Sequence, residues 1–481
     1  MDNPTVTRNP FDLPELIYRL SRFVNNNDAL SCALVSKAWT IDFVSSIWFQ
    51  IDFDIHAQFA DLSPDVVAKH GHHIRVVKNA KALAQVSALD HSNINRLRYL
   101  HIEAAASTTQ QENSYRIVTR NNTNLQELIL FAAPISGSNP AYSSYYVLSA
   151  AFSPSYDALQ QRTPIPNLTS LKLKGLIITY SSLESILQVC KNLTELRLPQ
   201  VALIGRLNRP FQHTGITLFS FGLKSIFHED PARPSILSHF PNLTTLHTWQ
   251  NTSSKDMVPS ERIKKDLSTY CPHLTQYKLE DYSGNITPEF LTNIATNITR
   301  ITFEEEYMSP ETISAIILHQ STLKKVAHFY SPGFDYEKDE VPPVSDKIKV
   351  SDEMLQLIPR RCVQLERLNL HPYEMDVDVM EAAEWVCKDL KKLRIRVKGL
   401  DTKEQILRVI ALWRAGCWRR WQEKAKRTNA LVVEAEEEEE QEEVEKQLEE
   451  DYSIEARVAR HLLKFEQLWW VWLGYQTWTP I

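Results

Sequence analysis

The sequence predicts an α/β fold built by repetition, and three observations carry that expectation. The stretch Cys190-Lys191-Asn192-Leu193-Thr194-Glu195-Leu196-Arg197-Leu198 places apolar residues at Leu193, Leu196 and Leu198. The step of two is that of a strand with one buried face, and the step of three marks a bend leading into it. Related units begin at Leu97, Leu125, Leu168, Leu193, Ile216, Leu243, Leu274, Ile298, Leu323, Leu365 and Leu390, most of them 23 to 31 residues apart. Helix-patterned segments such as 181–187 and 351–357 lie between the units. A lone strand of this kind cannot cover its apolar row, whereas stacked copies share one continuous core.

Bulk properties fit that plan. A chain of 481 residues is too long for one compact core unless it repeats. The net charge of -6 is small for this length and draws the chain toward neither nucleic acid nor an anionic membrane. The first residues lack a basic-then-apolar leader, and no apolar run approaches the roughly 18 residues that span a bilayer. The expected location is therefore cytoplasmic, nuclear or both. Cys190, Cys271, Cys362 and Cys387 each stand three residues before the first leucine of a unit, which favours small core residues over disulfides or zinc ligands. Asn-Leu-Thr at Asn167, Asn192 and Asn242 matches the glycosylation pattern, and without a secretory route it is expected to be structural.

The chain opens on a different pattern, a helical domain over residues 10–52. Asp12-Leu13-Pro14-Glu15 is a helix start, with Asp12 able to cap and Pro14 tolerated in the first turn. Leu16, Ile17, Leu20, Phe23 and Val24 follow at helical spacing. Asn25, Asn26 and Asn27 break that helix, and Asp28 begins a second carrying Leu30 and Leu34. Val35-Ser36-Lys37-Ala38-Trp39 leads into a third, which ends before Ile47-Trp48. Three short helices make a small core for so many large apolar groups, so a face is left over for a partner.

The order Leu13-Pro14-Glu15-Leu16, Asp28-Ala29-Leu30, Leu34-Val35-Ser36-Lys37-Ala38-Trp39, Ile47-Trp48-Phe49 resembles an F-box, with Ser36 where Cys is common and Ile47 in place of Leu. The resemblance implies docking on the Skp-type adaptor of a cullin-RING ubiquitin ligase through Leu13, Pro14, Ile17, Leu20, Leu30, Val35 and Trp39. A capping bundle with no partner is the alternative.

Residues 70–400 hold the repeats, with a weak first copy at 71–76 and loop insertions near 136–166 and 331–343. A strand followed by a helix at this period, with its recurrent Cys, resembles the cysteine-containing leucine-rich repeat. That resemblance implies parallel strands on a concave face and helices on the convex one. The repeated Leu and Cys then point inward, while the alternate strand positions form an exposed row. Candidate target-binding residues in that row are Phe131, Arg197, Trp249, Phe329, Arg367, Lys392, Arg394 and Arg396. Aromatics make rigid contact anchors, and the last two copies are basic.

Residues 401–481 are expected to form a helical hairpin whose aromatic face caps the last repeat, with 454–475 as its second helix. The connector 434–450, with 11 glutamates and one lysine, reads as solvated. It could also fold back on the basic row. The sequence shows no phosphate-cradling glycine loop, nucleophile elbow or metal-binding helix motif. His70, His72 and His73 read as surface residues of a turn. No cofactor or metal is expected and no catalytic residue is assigned. The leading expectation is a non-catalytic ubiquitin-ligase receptor that binds the adaptor at one end and a target protein along the repeats. A leucine-rich-repeat interaction scaffold without a ligase role is the alternative.

Overall fold

The computed structural model describes residues 14–131, 165–328, 350–427 and 452–478, apart from short stretches within those spans. The insertions and the acidic connector therefore lie mostly or wholly outside the described residues. The chain divides into two compact units, one of residues 1–226 and 232–242, the other of 227–231 and 243–481.

The first unit begins with helices α1 (Pro14–Ser21), α2 (Asn26–Ala33) and α3 (Lys37–Ile47). Ile17, Ala29, Ala33 and Phe43 form their core, with Val24, Cys32, Trp39 and Ile47 packed around it. Asn26 and Asn27 are already helical, so Asp28 lies in the first turn of α2 rather than at its cap. Ser36 caps α3, its hydroxyl accepting from the Trp39 N–H.

From α3 the chain runs straight into β1 (Gln50–Asp52), which pairs in parallel with β2 (Val76–Ala80). Trp48, Ile51 and Phe53 repeat the three-then-two spacing, and Ile51 and Phe53 are buried. The first rung therefore lies inside the stretch expected to be helical domain, well ahead of residue 70. Strands β3 (Tyr99–Glu103), β4 (Glu127–Phe131), β5 (Ser170–Lys174), β7 (Glu195–Arg197) and β9 (Leu218–Gly222) follow as successive parallel neighbours. Strands β6 (Ile177–Thr179) and β8 (Ala202–Ile204) form a separate parallel pair.

The second unit repeats the arrangement with β10 (Thr245–Gln250), β11 (Gln276–Asp281), β12 (Arg300–Phe303), β13 (Lys325–His328), β14 (Arg367–Met375) and β15 (Lys392–Val397). In both units every first leucine or isoleucine of the predicted copies is buried, as are the four repeat cysteines.

One backbone device joins the rungs. At successive junctions within each unit, the carbonyl of the residue after the first leucine or isoleucine accepts two N–H groups from the next copy. Thr194 and Glu195 donate to Thr169 at 2.9 and 3.0 Å, and Lys391 and Lys392 donate to Glu366 at 2.8 and 3.1 Å. An asparagine just before the leucine adds a side-chain tie to the preceding copy: Asn124 to the Asn95 carbonyl at 3.1 Å, Asn192 to Pro166 at 2.6 Å, and Asn242 to Thr214 at 2.9 Å. The Asn of the Asn-Leu-Thr triplets is thus a bridge between repeats.

The C-terminal region departs from the helical hairpin. A long helix spans Lys403–Arg427 and a second spans Ile454–Leu463. They meet where Gly416 leaves room for Leu463, since an added Cβ would lie 2.6 Å from a Leu463 methyl. The second helix then stops. Trp470–Leu473 forms β16, parallel to β15 with Lys392 opposite Trp470, and the chain turns back into the antiparallel β17 (Gln476–Trp478). Phe465, Leu468, Val471 and Leu473 are buried at the spacing of Cys190, Leu193, Leu196 and Leu198, and Trp469 and Trp470 both donate to the Lys391 carbonyl at 3.2 Å. This stretch is a further repeat with Phe465 in the cysteine place. Its aromatic and β-branched run suits a pleated surface better than a helix.

Candidate functional site

Two surfaces stand out once the side chains are placed, and the first lies on the N-terminal helices. Leu13 lies outside the described residues, and Pro14 opens α1. Ile17 is buried in the three-helix core and Trp39 is half-buried beside it, stacked on Phe43 with ring centroids 5.5 Å apart. These two residues therefore hold the bundle together. Leu20, Leu30 and Val35 are exposed, and the structure adds neighbours in the sequence that are more exposed still. Phe23 is 87% exposed, Leu34 81%, Ile41 74%, Val35 66% and Leu30 55%. A bundle of this size has too little interior to cover them, and side chains of that size left in water mark a contact surface.

The second surface is the outward row of the strands. In the first unit the register aligns Tyr99, Glu127, Ser170, Glu195 and Leu218. Glu127 is held above the usual carboxylate range, first by burial and then by the Glu195 charge. Arg197 does not stand clear of the sheet: its guanidinium pairs with Glu195 of the same strand. Phe131 is half-buried against His101, centroids 4.8 Å apart, and burial keeps the His101 imidazole below its ordinary pKa.

In the second unit the row is cationic. Arg300, Lys325, Arg367 and Lys392 are consecutive register partners on β12 to β15, flanked by Gln276 and Trp470. Lys392 lies over the Trp469 ring at 4.4 Å and the Trp470 ring at 5.7 Å. Arg396 pairs with Glu374, and half-buried Arg394 sits between Lys392 and Arg396 on β15. Trp249 is the next-to-last residue of β10, with its side chain outside the described part, and Phe329 lies wholly outside it. Arg300 was missed in the sequence, although the same count that selects Arg367 and Lys392 selects it in the copy starting at Ile298.

Other reactive groups are quiet. Burial pushes the thiols of Cys190, Cys271, Cys362 and Cys387 up to about 12, so their thiolates are scarce near neutral pH. His70 stacks on Trp48 at 4.9 Å, next to a 3-10 turn at Gly71–His73. Among the described residues no group of three His, Cys, Asp or Glu is placed to hold a metal ion. No described helix is long and apolar enough to cross a membrane.

One strand of the main sheet per repeat, parallel pairing of successive strands and a buried leucine or isoleucine at the start of each copy make up the leucine-rich-repeat arrangement. No protein-family model matches the chain, and no curated protein is similar to it. Among solved structures it is similar to the leucine-rich-repeat-containing protein LegL7 from Legionella pneumophila, with 10% identity over 73% of this chain and 82% of that one, at a TM-score of 0.29. So loose a superposition adds nothing to the strand register on which the fold assignment rests.

Proposed function

We propose that this chain is the substrate-recognition subunit of an SCF-type cullin-RING ubiquitin ligase. Its N-terminal helices would hold the Skp-type adaptor and its repeats a target protein. Catalysis then comes from proximity, with no bond-making residue in this chain. The observation that supports it is the run of exposed apolar side chains at Phe23, Leu30, Leu34, Val35 and Ile41, borne by the stretch whose Leu-Pro and Val-x-Lys-x-Trp signatures resemble an F-box. Recombinant adaptor should co-purify with the chain, and Leu34→Asp with Val35→Asp should abolish the complex while leaving the melting temperature within a degree or two. Persistent binding by that double variant would sink the proposal.

A second reading is an interaction scaffold whose first helices only cap the repeats. It is favoured by the direct passage from α3 into β1, which makes the helices contiguous with the first rung. Removing residues 1–46 separates the two. A cap should take stability with it, whereas a docking module should take only the adaptor.

A further inference from the structure

The cationic row of the second unit has a geometry that calls for a ligand. Arg300, Lys325, Arg367 and Lys392 occupy one position in four consecutive strands. Adjacent strands lie about 4.8 Å apart, so the four charges stack within about 15 Å. Like charges directly opposite each other across a sheet are destabilising, and a fold has no structural reason to assemble four. Among the described residues, no carboxylate lies within ion-pair distance of Arg300, Lys325 or Arg367. Among the described residues, Glu366 pairs with Lys391 at 3.1 Å and Lys324 at 3.8 Å, and Glu374 pairs with Arg396. Glu280 and Asp281 stand at the far end of β11, four and five residues from the row. The strain also shows in Lys325, whose ammonium is held below its ordinary pKa by burial first and then by Arg367, Arg300, Lys278 and Lys392. The equivalent row of the first unit carries glutamates at 127 and 195 and no cation, so the charge is not a habit of the repeat.

We infer that this row binds an extended, carboxylate-rich peptide segment of a partner protein, laid across β12 to β15. An extended chain presents every second side chain at about 6.8 Å, so two or three alternating carboxylates span the four cations. The Trp469 and Trp470 rings beside Lys392 close one end of the row with apolar surface. A short peptide suits the row better than a polynucleotide, because the charge is confined to four rungs while the chain as a whole is negative, at -6. The inference deepens the target-binding half of the function proposed above and does not depend on the adaptor half.

The test uses the full chain and a fluorescent peptide of alternating glutamate and alanine, with a single-stranded oligonucleotide of equal charge alongside. The wild type should bind the peptide in preference to the oligonucleotide, and more weakly as salt rises. Lys325→Gln with Arg367→Gln should weaken peptide binding about tenfold or more, and Arg367→Glu further. The double variant should also melt at a higher temperature than the wild type, because it relieves the repulsion; a row that merely supported the fold would give the opposite shift. Lys174→Gln, on β5 of the first unit, should change nothing. Tighter binding of the oligonucleotide, no binding of the peptide, or an Arg367→Glu protein that holds the peptide as well as the wild type would overturn the inference. Adaptor co-purification, measured on the same variants, should be unaffected. Its failure in the wild type would count against the ligase role and leave the row untouched.

Discussion

His461 offers a sharp test of how the second unit is packed. Its ring is buried, edge-on to Trp385 at 4.7 Å and 5.6 Å from Phe465, and neither ring nitrogen has a hydrogen-bond partner. Burial is the larger cause, with the Lys464 charge second, of a fall in its pKa from 6.5 to about 3. An imidazole lowered in the folded state binds fewer protons there than in the unfolded chain. Its contribution is therefore complete above pH 6.5 and is lost as the pH falls toward 3. A shift of this size implies a loss of about 2 kcal/mol between pH 7.5 and 5, approaching about 5 kcal/mol at the acid limit. His461→Leu removes the titration and keeps an apolar side chain in the same space. Urea unfolding of both proteins between pH 7.5 and 5 should show the wild type losing about 2 kcal/mol more than the variant. Parallel pH profiles would show that His461 is solvated or partnered in solution, and the packing argument would fail.

Other outcomes follow from the same geometry. Gly416→Ala should destabilise the second unit by about 1–3 kcal/mol in urea unfolding, since the new methyl meets three carbons of the Leu463 side chain at 2.6 to 3.2 Å. Asn192→Ala removes the tie to the Pro166 carbonyl and should cost about 1 kcal/mol in the first unit. Because its side chain is already engaged, Asn192 should also stay unmodified if the chain is expressed through a secretory route, as intact-mass measurement would show. Val471→Asp puts a charge at a fully buried position of the last rung. It should cost about 3 kcal/mol or more and make β15 susceptible to limited proteolysis, whereas a helical cap would leave β15 protected.

The repeats were legible because a three-then-two spacing of leucines has few physical solutions other than a bend into a one-sided strand. The two end rungs obey the same spacing but were hidden by substitution. Trp48 stands in the first leucine position of one. In the other Phe465 replaces the cysteine, and Leu468 follows Leu390 only after the long helix and the acidic connector. The Trp469–Trp472 run looked amphipathic over 454–475, and β-propensity together with an open sheet edge at β15 decided it as a strand. The N-terminal site was legible as a motif but not as a surface: spacing alone could not say that Ile17 is spent on the core while Phe23 and Leu34 are left in water. On the sheet, Arg197 and Arg396 read as available in the sequence, but in the fold each is held by a glutamate, Glu195 and Glu374 respectively. The basic row needed the register, because one-position alignment across Arg300, Lys325, Arg367 and Lys392 depends on where each strand begins.

The paired amide donation that starts each rung has a bearing on recognition. The second donor of each pair is the residue that carries the outward side chain: Arg300 and Lys325 donate at 3.4 and 3.0 Å, Arg367 and Lys392 at 3.0 and 3.1 Å. The root of every cation is thus fixed by the fold before any ligand arrives, and a ligand has only side-chain rotamers left to order, at about 0.5–1.5 kcal/mol each. Because the anchoring atoms belong to the main chain, the side chain at that position can be exchanged without loosening the rung. A single repeat architecture can therefore carry glutamates in one unit and cations in the other.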